Sequence, residues 1–211
     1  QPAFVLHTFA YRETSVIVEA FTAEHGRVAM VARGARRPRS ELRGLLQGFQ
    51  PLLLSWSGQH ELKTLLRAEW RGGLPRVGGS ALVCGFYLNE LLLKLLPRED
   101  PHPRLFANYE AALAELAAGG EQAPMLRRFE LVLLTELGYA LPLLRESDTG
   151  GPIEPAARYH YAFDSGPRRA QPEPGARFPV VRGATLLALA DGRYTDAETA
   201  AEAKRLMREV R

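Results

Sequence analysis

Between residues 3 and 70 the apolar positions fall in short stretches separated by turn formers. Residues 3–9 predict a first strand and residues 15–21, SVIVEAF, a second, with Tyr11-Arg12-Glu13-Thr14 connecting them. Thr22-Ala23-Glu24-His25-Gly26 predicts a turn in which Gly26 can take a positive φ. Residues 27–32, RVAMVA, follow as a third strand. Residues 48–56 predict a fourth, and Pro51 marks it as an edge or a bulge. The composition of residues 61–70, ELKTLLRAEW, would also suit a helix, but its place after Ser57-Gly58-Gln59-His60 makes it the returning strand of a hairpin. No stretch before residue 71 predicts a helix. Five short strands in this length suffice for a small closed barrel, because closure removes exposed sheet edges. The expected architecture is an OB-fold, which binds single-stranded nucleic acid on one face with the help of its loops.

The pattern changes after residues 71–79, RGGLPRVGG, whose glycines and proline mark a domain boundary. Residues 80–96, SALVCGFYLNELLLKLL, are apolar nearly all round and predict a buried helix, with Ser80 as its cap and Pro97 as its stop. Residues 103–118 carry alanines and leucines at helical spacing and end at Gly119-Gly120. Residues 124–137, PMLRRFELVLLTEL, begin on a proline suited to a first turn and end at Gly138. Little periodicity follows, except that residues 159–163, YHYAF, with Asp164-Ser165-Gly166, predict a small hairpin. Helices over 183–190 and 196–210 close the chain, with Thr195 or Asp196 capping the second. The expected fold class is α+β in two domains: a barrel over 1–75 and a helical domain over 76–211 with a loop-rich insertion at 145–180.

Composition adds one thing to this picture. The whole chain of 211 residues has a net charge of only +3, but residues 1–80 hold 11 Lys+Arg against 6 Asp+Glu, while the rest holds 16 against 18. The excess concentrates in one segment, Arg33-Gly34-Ala35-Arg36-Arg37-Pro38-Arg39-Ser40-Glu41-Leu42-Arg43, with five arginines and one carboxylate. Gly34 and Pro38 exclude a continuous helix or a central strand across it. A solvated charged loop is the plain reading. Arginine without lysine favours phosphate, because each guanidinium presents a planar fork of donors that matches phosphate oxygens. The candidate phosphate-contacting residues of a nucleic-acid site are therefore Arg33, Arg36, Arg37, Arg39 and Arg43, with Arg27, Lys63 and Arg67 extending the patch if they share its barrel face.

Catalytic patterns are missing from the sequence. Cys84 is the single cysteine, so no intrachain disulfide and no site needing two thiolates can form; on an apolar helix it reads as a buried structural thiol. There is no Gly-x-x-x-x-Gly-Lys-Ser/Thr loop for nucleotide phosphates, and Gly78-Gly79-Ser80 lacks the final glycine of a nucleophile elbow. His7, His25, His60, His102 and His160 stand singly, without a second ligand at helical or hairpin spacing. The expectation is a protein without an enzymatic reaction. No apolar run spans a bilayer and Gln1-Pro2-Ala3-Phe4 has no signal-peptide pattern, which predicts a cytoplasmic protein without membrane contact.

The sequence resembles the bacterial RecO family of DNA repair and recombination-mediator proteins. The likeness is carried by Glu13-Thr14-Ser15, Gly26-Arg27, Val31-Ala32-Arg33-Gly34-Ala35-Arg36, Ser40-x-Leu42-x-Gly44, Leu46-Gln47-x-Phe49 and Glu61-Leu62-x-Thr64-Leu65 in the first part. Tyr87-x-Asn89-Glu90-Leu91-Leu92, Leu126-Arg127-Arg128-Phe129-Glu130-Leu131 and Leu137-Gly138-Tyr139 carry it in the second. The resemblance implies an OB-fold followed by a helical domain. Some members hold zinc with four cysteines after the Leu-Gly-Tyr segment; here Leu144-Arg145-Glu146-Ser147-Asp148-Thr149-Gly150 has none, so no zinc is expected.

The function implied is binding of single- and double-stranded DNA, annealing of complementary strands, and assistance to RecA in loading onto DNA covered by single-strand binding protein, together with RecR and often RecF. A second hypothesis places a peptide-docking site on the helical half. Arg127 and Arg128 beside Leu131 and Leu134 suit an apolar-ended peptide with a C-terminal carboxylate, such as the tail of single-strand binding protein. The alternative function is then a docking adaptor that bridges that protein and RecR without strong DNA binding of its own.

Overall fold

In the computed structural model, residues 1–170, 179–194 and 196–209 are described. The described chain divides into two compact units, Gln1–Gly120 and Glu121–Arg211.

The first unit begins with five strands: β1 (Pro2–Tyr11), β2 (Ser15–Thr22), β3 (Gly26–Ala32), β4 (Pro51–Ser57) and β5 (Leu62–Trp70). They close into a barrel in the order β1-β2-β3-β5-β4, with β3 and β5 parallel and the other neighbours antiparallel. This is the OB-fold order. Residues 61–70 are thus a strand, as their position after the turn implied, despite a composition that suits a helix. The barrel interior is filled by small and branched residues, among them Val5, Val18, Ala20, Val28, Met30, Leu52 and Leu54. One helical turn absent from the sequence reading, α1 (Leu42–Leu45), lies between β3 and β4. Four residues are too few to show a helical period.

The helices α2 (Ala81–Leu95) and α3 (Pro103–Ala117) belong to the same unit as the barrel. The compact units therefore part at Gly120, well beyond the glycine-rich residues 71–79. The reason is an aromatic cluster on the outer barrel wall, where the rings of Phe4 and Phe21 meet Phe106 and Tyr109 at centroid distances of 5.2–6.1 Å. All four side chains are nearly fully buried. Gly85 of α2 sits so near Phe49 that a Cβ there would come within 2.8 Å of the ring. Ser80 precedes α2 with helical φ and ψ and makes no side-chain cap. Cys84 is half-buried rather than buried, and the burial it has pushes its thiol pKa up.

The second unit holds α4 (Gln122–Glu136), a sheet of β6 (Arg158–Ala162), β7 (Gly166–Arg169) and β8 (Val180–Arg182) in the order β7-β6-β8, then α5 (Gly183–Asp191) and α6 (Ala197–Glu209). The hairpin after residue 158 is the expected one; β8 is an addition. Its core joins Leu134, Tyr159, Tyr161, Leu186, Leu189, Leu206 and Met207. Asp196 caps α6, accepting from the Thr199 amide at 2.7 Å. Thr195, the other expected cap, and Val210 lie outside the described residues.

Candidate nucleic-acid interface

The arginine segment leaves β3 and runs across one end of the barrel. Its apolar residues face in: Ala35 and Leu46 are buried in the barrel core and Leu42 packs against it. Its arginines face out, and Arg33, Arg36, Arg37, Arg39 and Arg43 are all exposed. None of the five takes part in an ion pair among the described residues. The backbone is held by turn hydrogen bonds, Arg37 N to Gly34 O at 3.1 Å and Ser40 N to Arg37 O at 3.0 Å, and Gly34 has the positive φ of 71° that this path needs. The segment is also tied to the β1–β2 turn, where the Arg36 amide donates to Thr14 O at 2.8 Å and Arg36 Nη1 donates to Arg12 O at 3.3 Å. A loop pinned in this way loses less conformational freedom on meeting a ligand than a free one. Between the loop and the barrel lies an open cleft of about 320 Å³ lined by Thr8, Val16, Ala35, Arg36, Leu42, Arg43 and Leu46.

Two of the three flanking cations do not join this surface. Arg27 is largely covered and lies 3.7 Å from the buried Glu19, which also meets Arg98. Lys63 has a side chain only 10% exposed and pairs with Glu99 at 2.6 Å. Arg27 balances the buried Glu19 carboxylate, and the exposed Glu99 balances the covered Lys63 ammonium, since a buried charge left alone would be costly. Arg67 is exposed but pairs with Glu69 on its own strand, which offsets its charge.

The expected docking residues of the second unit are placed differently from the sequence reading. Arg127 is buried and hydrogen-bonded to Glu130 at 2.7 Å, one turn along α4. Its Nε and Nη1 have no hydrogen-bond partner among the described residues. Leu134 is part of the core and Leu131 packs against it. Arg128 is exposed. Nearby, burial pushes the Tyr194 phenol up to about 12, against a smaller opposing pull from the Arg127 charge.

The cysteine-free loop is closed by polar side chains. Glu146 N donates to Gly151 O at 2.8 Å and Gly150 N donates to Glu146 O at 3.0 Å, making a tight turn. The buried Glu146 carboxylate accepts from Thr149 Oγ1 at 2.6 Å, Tyr159 OH at 3.2 Å and Arg169 Nε at 3.2 Å. Arg169 also reaches Glu154 at 2.7 Å. The Thr149 hydroxyl, with smaller help from Arg169 and Tyr159, holds the Glu146 carboxyl below its ordinary range. This donor set does not fit a zinc ion: it has no thiolate, and its one buried carboxylate already faces a guanidinium. Among the described residues no group of three or more His, Cys, Asp or Glu is placed to hold a metal. No helix among them is long and apolar enough to cross a membrane.

The family model described as Recombination protein O N terminal matches residues 1–74, and that described as Recombination protein O C terminal matches residues 78–210. The chain belongs to the RecO family. The protein named DNA repair protein RecO of Aromatoleum aromaticum is 55% identical over 209 residues, covering 99% of this chain and 86% of that protein. The RecO proteins of an Azoarcus species and of Cupriavidus pinatubonensis are 53% and 51% identical, each over 99% of this chain and over 86% and 72% of their own lengths.

Proposed function

We propose that this chain is a DNA repair and recombination mediator whose arginine segment binds the sugar-phosphate backbone of single- and double-stranded DNA. The observation that carries the reading is the row of five exposed arginines, free of ion pairs among the described residues and pinned at one end of a barrel. Such a surface neutralises phosphates and releases counterions, which gives tight, sequence-independent and salt-sensitive binding. Two complementary strands held on one cationic surface no longer repel each other fully, which lowers the main barrier to annealing. No group on the protein needs to react. Family membership supports the finer reading: strand annealing, RecA loading onto DNA covered by single-strand binding protein, RecR and RecF as partners, and a place in the cytoplasm. It also supports docking of the tail of single-strand binding protein to the second unit, where Arg128 is exposed and Arg127 is buried. The chain does this without zinc, its loop at residue 146 being closed by hydrogen bonds.

The test is binding of labelled single-stranded DNA across a salt series, by fluorescence anisotropy, for the chain and for Arg36→Glu/Arg37→Glu. Each phosphate contact on a single strand contributes about 0.7 to the slope of log affinity against log salt. Loss of two contacts lowers the slope by about 1.4, and the introduced carboxylates lower affinity further. An unchanged slope and affinity would remove the arginine segment from the DNA site.

A further inference from the structure

The arginine segment accounts for phosphates and leaves the bases without a contact. The outer face of β1 beside it carries three rings in alternation, His7, Phe9 and Tyr11. Phe9 is 49% exposed. Its ring meets His7 edge-on at a centroid distance of 4.4 Å. Tyr11 lies under the Arg12 guanidinium, 5.2 Å from ring centre to Cζ. The pairing registers extend this face across the sheet: Phe9 opposes Ile17, Ile17 opposes Val31, and Val31 opposes Thr64. Ile17, Val31 and Thr64 are half-buried, so the row is an apolar shelf with Phe9 standing at its rim. The carboxylate in the neighbouring pair, Glu19 opposite His7, is buried and flanked by Arg27 and Arg98, so the shelf presents no exposed anion there.

A bulge creates the shelf. Phe4 of β1 faces the outer wall and Val5 faces the barrel interior. Strict alternation would then turn position 9 inward. The β1–β2 register shifts between Val5 and His7, leaving Leu6 as the extra residue, and this turns His7, Phe9 and Tyr11 outward. The turn that follows is strained, since Arg12 takes a φ of +52°, a region that residues with a Cβ rarely occupy. That turn holds the arginine segment through Thr14 O and Arg12 O. The rings and the guanidiniums are therefore fixed at the same end of one barrel.

We infer that the His7–Phe9 face is a base-stacking platform, which takes the bases of an unpaired nucleic-acid strand while the arginine segment holds its phosphates. The inference rests on the DNA-binding reading above and adds a preference for unpaired over duplex DNA, whose bases are not free to stack. Charge decides the occupant: an exposed ring beside five exposed guanidiniums, none ion-paired among the described residues, suits a ligand that alternates flat π faces with anions.

The experiment compares the 211-residue chain with Phe9→Ala, Phe9→Trp and His7→Ala, on an oligo-dT strand and on an abasic strand of equal length. Phe9→Ala lowers affinity for oligo-dT by about 5- to 150-fold, the range for loss of one stacked base. It leaves the salt slope and the abasic strand unchanged, because no phosphate contact is lost. Phe9→Trp keeps affinity, and its added fluorescence is quenched by oligo-dT and not by the abasic strand. Equal losses on both strands would overturn the inference by showing that Phe9 acts through the fold. No loss on either strand, while Arg36→Glu/Arg37→Glu still lowers affinity and salt slope, would overturn the platform and leave the arginine site standing; a β1 face of that kind would be open to a peptide instead. If the arginine double variant also binds normally, the DNA-site reading fails as a whole.

Discussion

Asn89 on α2 offers the sharpest test of why the helices belong with the barrel. Its Nδ2 donates to Leu6 O at 2.8 Å, and its Oδ1 accepts from Tyr109 OH at 2.5 Å. Asn89, Leu6 and Tyr109 are all buried. Leu6 is the bulge residue, outside the β1–β2 register, so Asn89 supplies what the ladder does not. Asn89→Ala leaves a carbonyl and a phenol without these partners. Losing both buried hydrogen bonds costs about 2–4 kcal/mol, of which the Leu6 carbonyl deprived of its donor accounts for about 1–3 kcal/mol. In a chain of this size that lowers the thermal midpoint by about 5–15 °C. The assay is urea unfolding followed by tryptophan fluorescence, which reports the first unit alone because Trp56 and Trp70 are the only tryptophans and lie on β4 and β5. Tyr109→Phe and Asn89→Ala each break the same hydrogen bond, so the double variant should lose less than the two singles combined. A loss under about 0.5 kcal/mol for Asn89→Ala, or strict additivity, would refute the role given to this side chain.

Two further predictions concern the second unit. Glu146 has a folded pKa held below that of a free carboxyl, so its contribution to stability is fully present above the ordinary carboxylate range and is lost as pH falls through the lower folded value. The thermal midpoint of the wild type should therefore exceed that of Glu146→Gln at neutral pH, with the gap closing below about pH 4; a gap independent of pH would contradict the network. Prolonged dialysis against a chelator should leave the melting curve unchanged and metal content far below one ion per chain, whereas stoichiometric zinc with a chelator-induced fall in midpoint would show that another donor set holds a metal.

The sequence carried the strands well because each is short, apolar and bounded by turn formers. It carried the arginine segment too, as a run of one residue type needs no fold to be seen. The bulge at Leu6 was invisible, since nothing in Phe4-Val5-Leu6-His7 signals a break in alternation, and with it went the exposure of Phe9. The barrel face of Arg27 and Lys63 stayed open for a related reason: their partners Glu19 and Glu99 are distant along the chain or on another element, so a sequence counts charges that the fold cancels. Arg127 and Glu130 stand one helical turn apart and pair in the fold, and the burial that makes Arg127 inaccessible comes from tertiary packing. The strand β8 is three residues long, below what a pattern can show.

The glycine-rich residues 71–79 and the compact boundary at Gly120 answer different physical questions. The first marks where the chain changes its secondary structure; the second marks where tertiary contacts thin out. Four rings on the outer wall of the barrel explain the difference, because Phe4 and Phe21 would be exposed without Phe106 and Tyr109. The same helices supply Asn89 to the bulge, and the bulge turns Phe9 toward the face beside the arginines. A helix that reads as mere core thus braces the bulge that turns Phe9 outward. It follows that Asn89→Ala should weaken oligo-dT binding more than abasic-strand binding at temperatures where the barrel is still folded, although Asn89 itself touches neither.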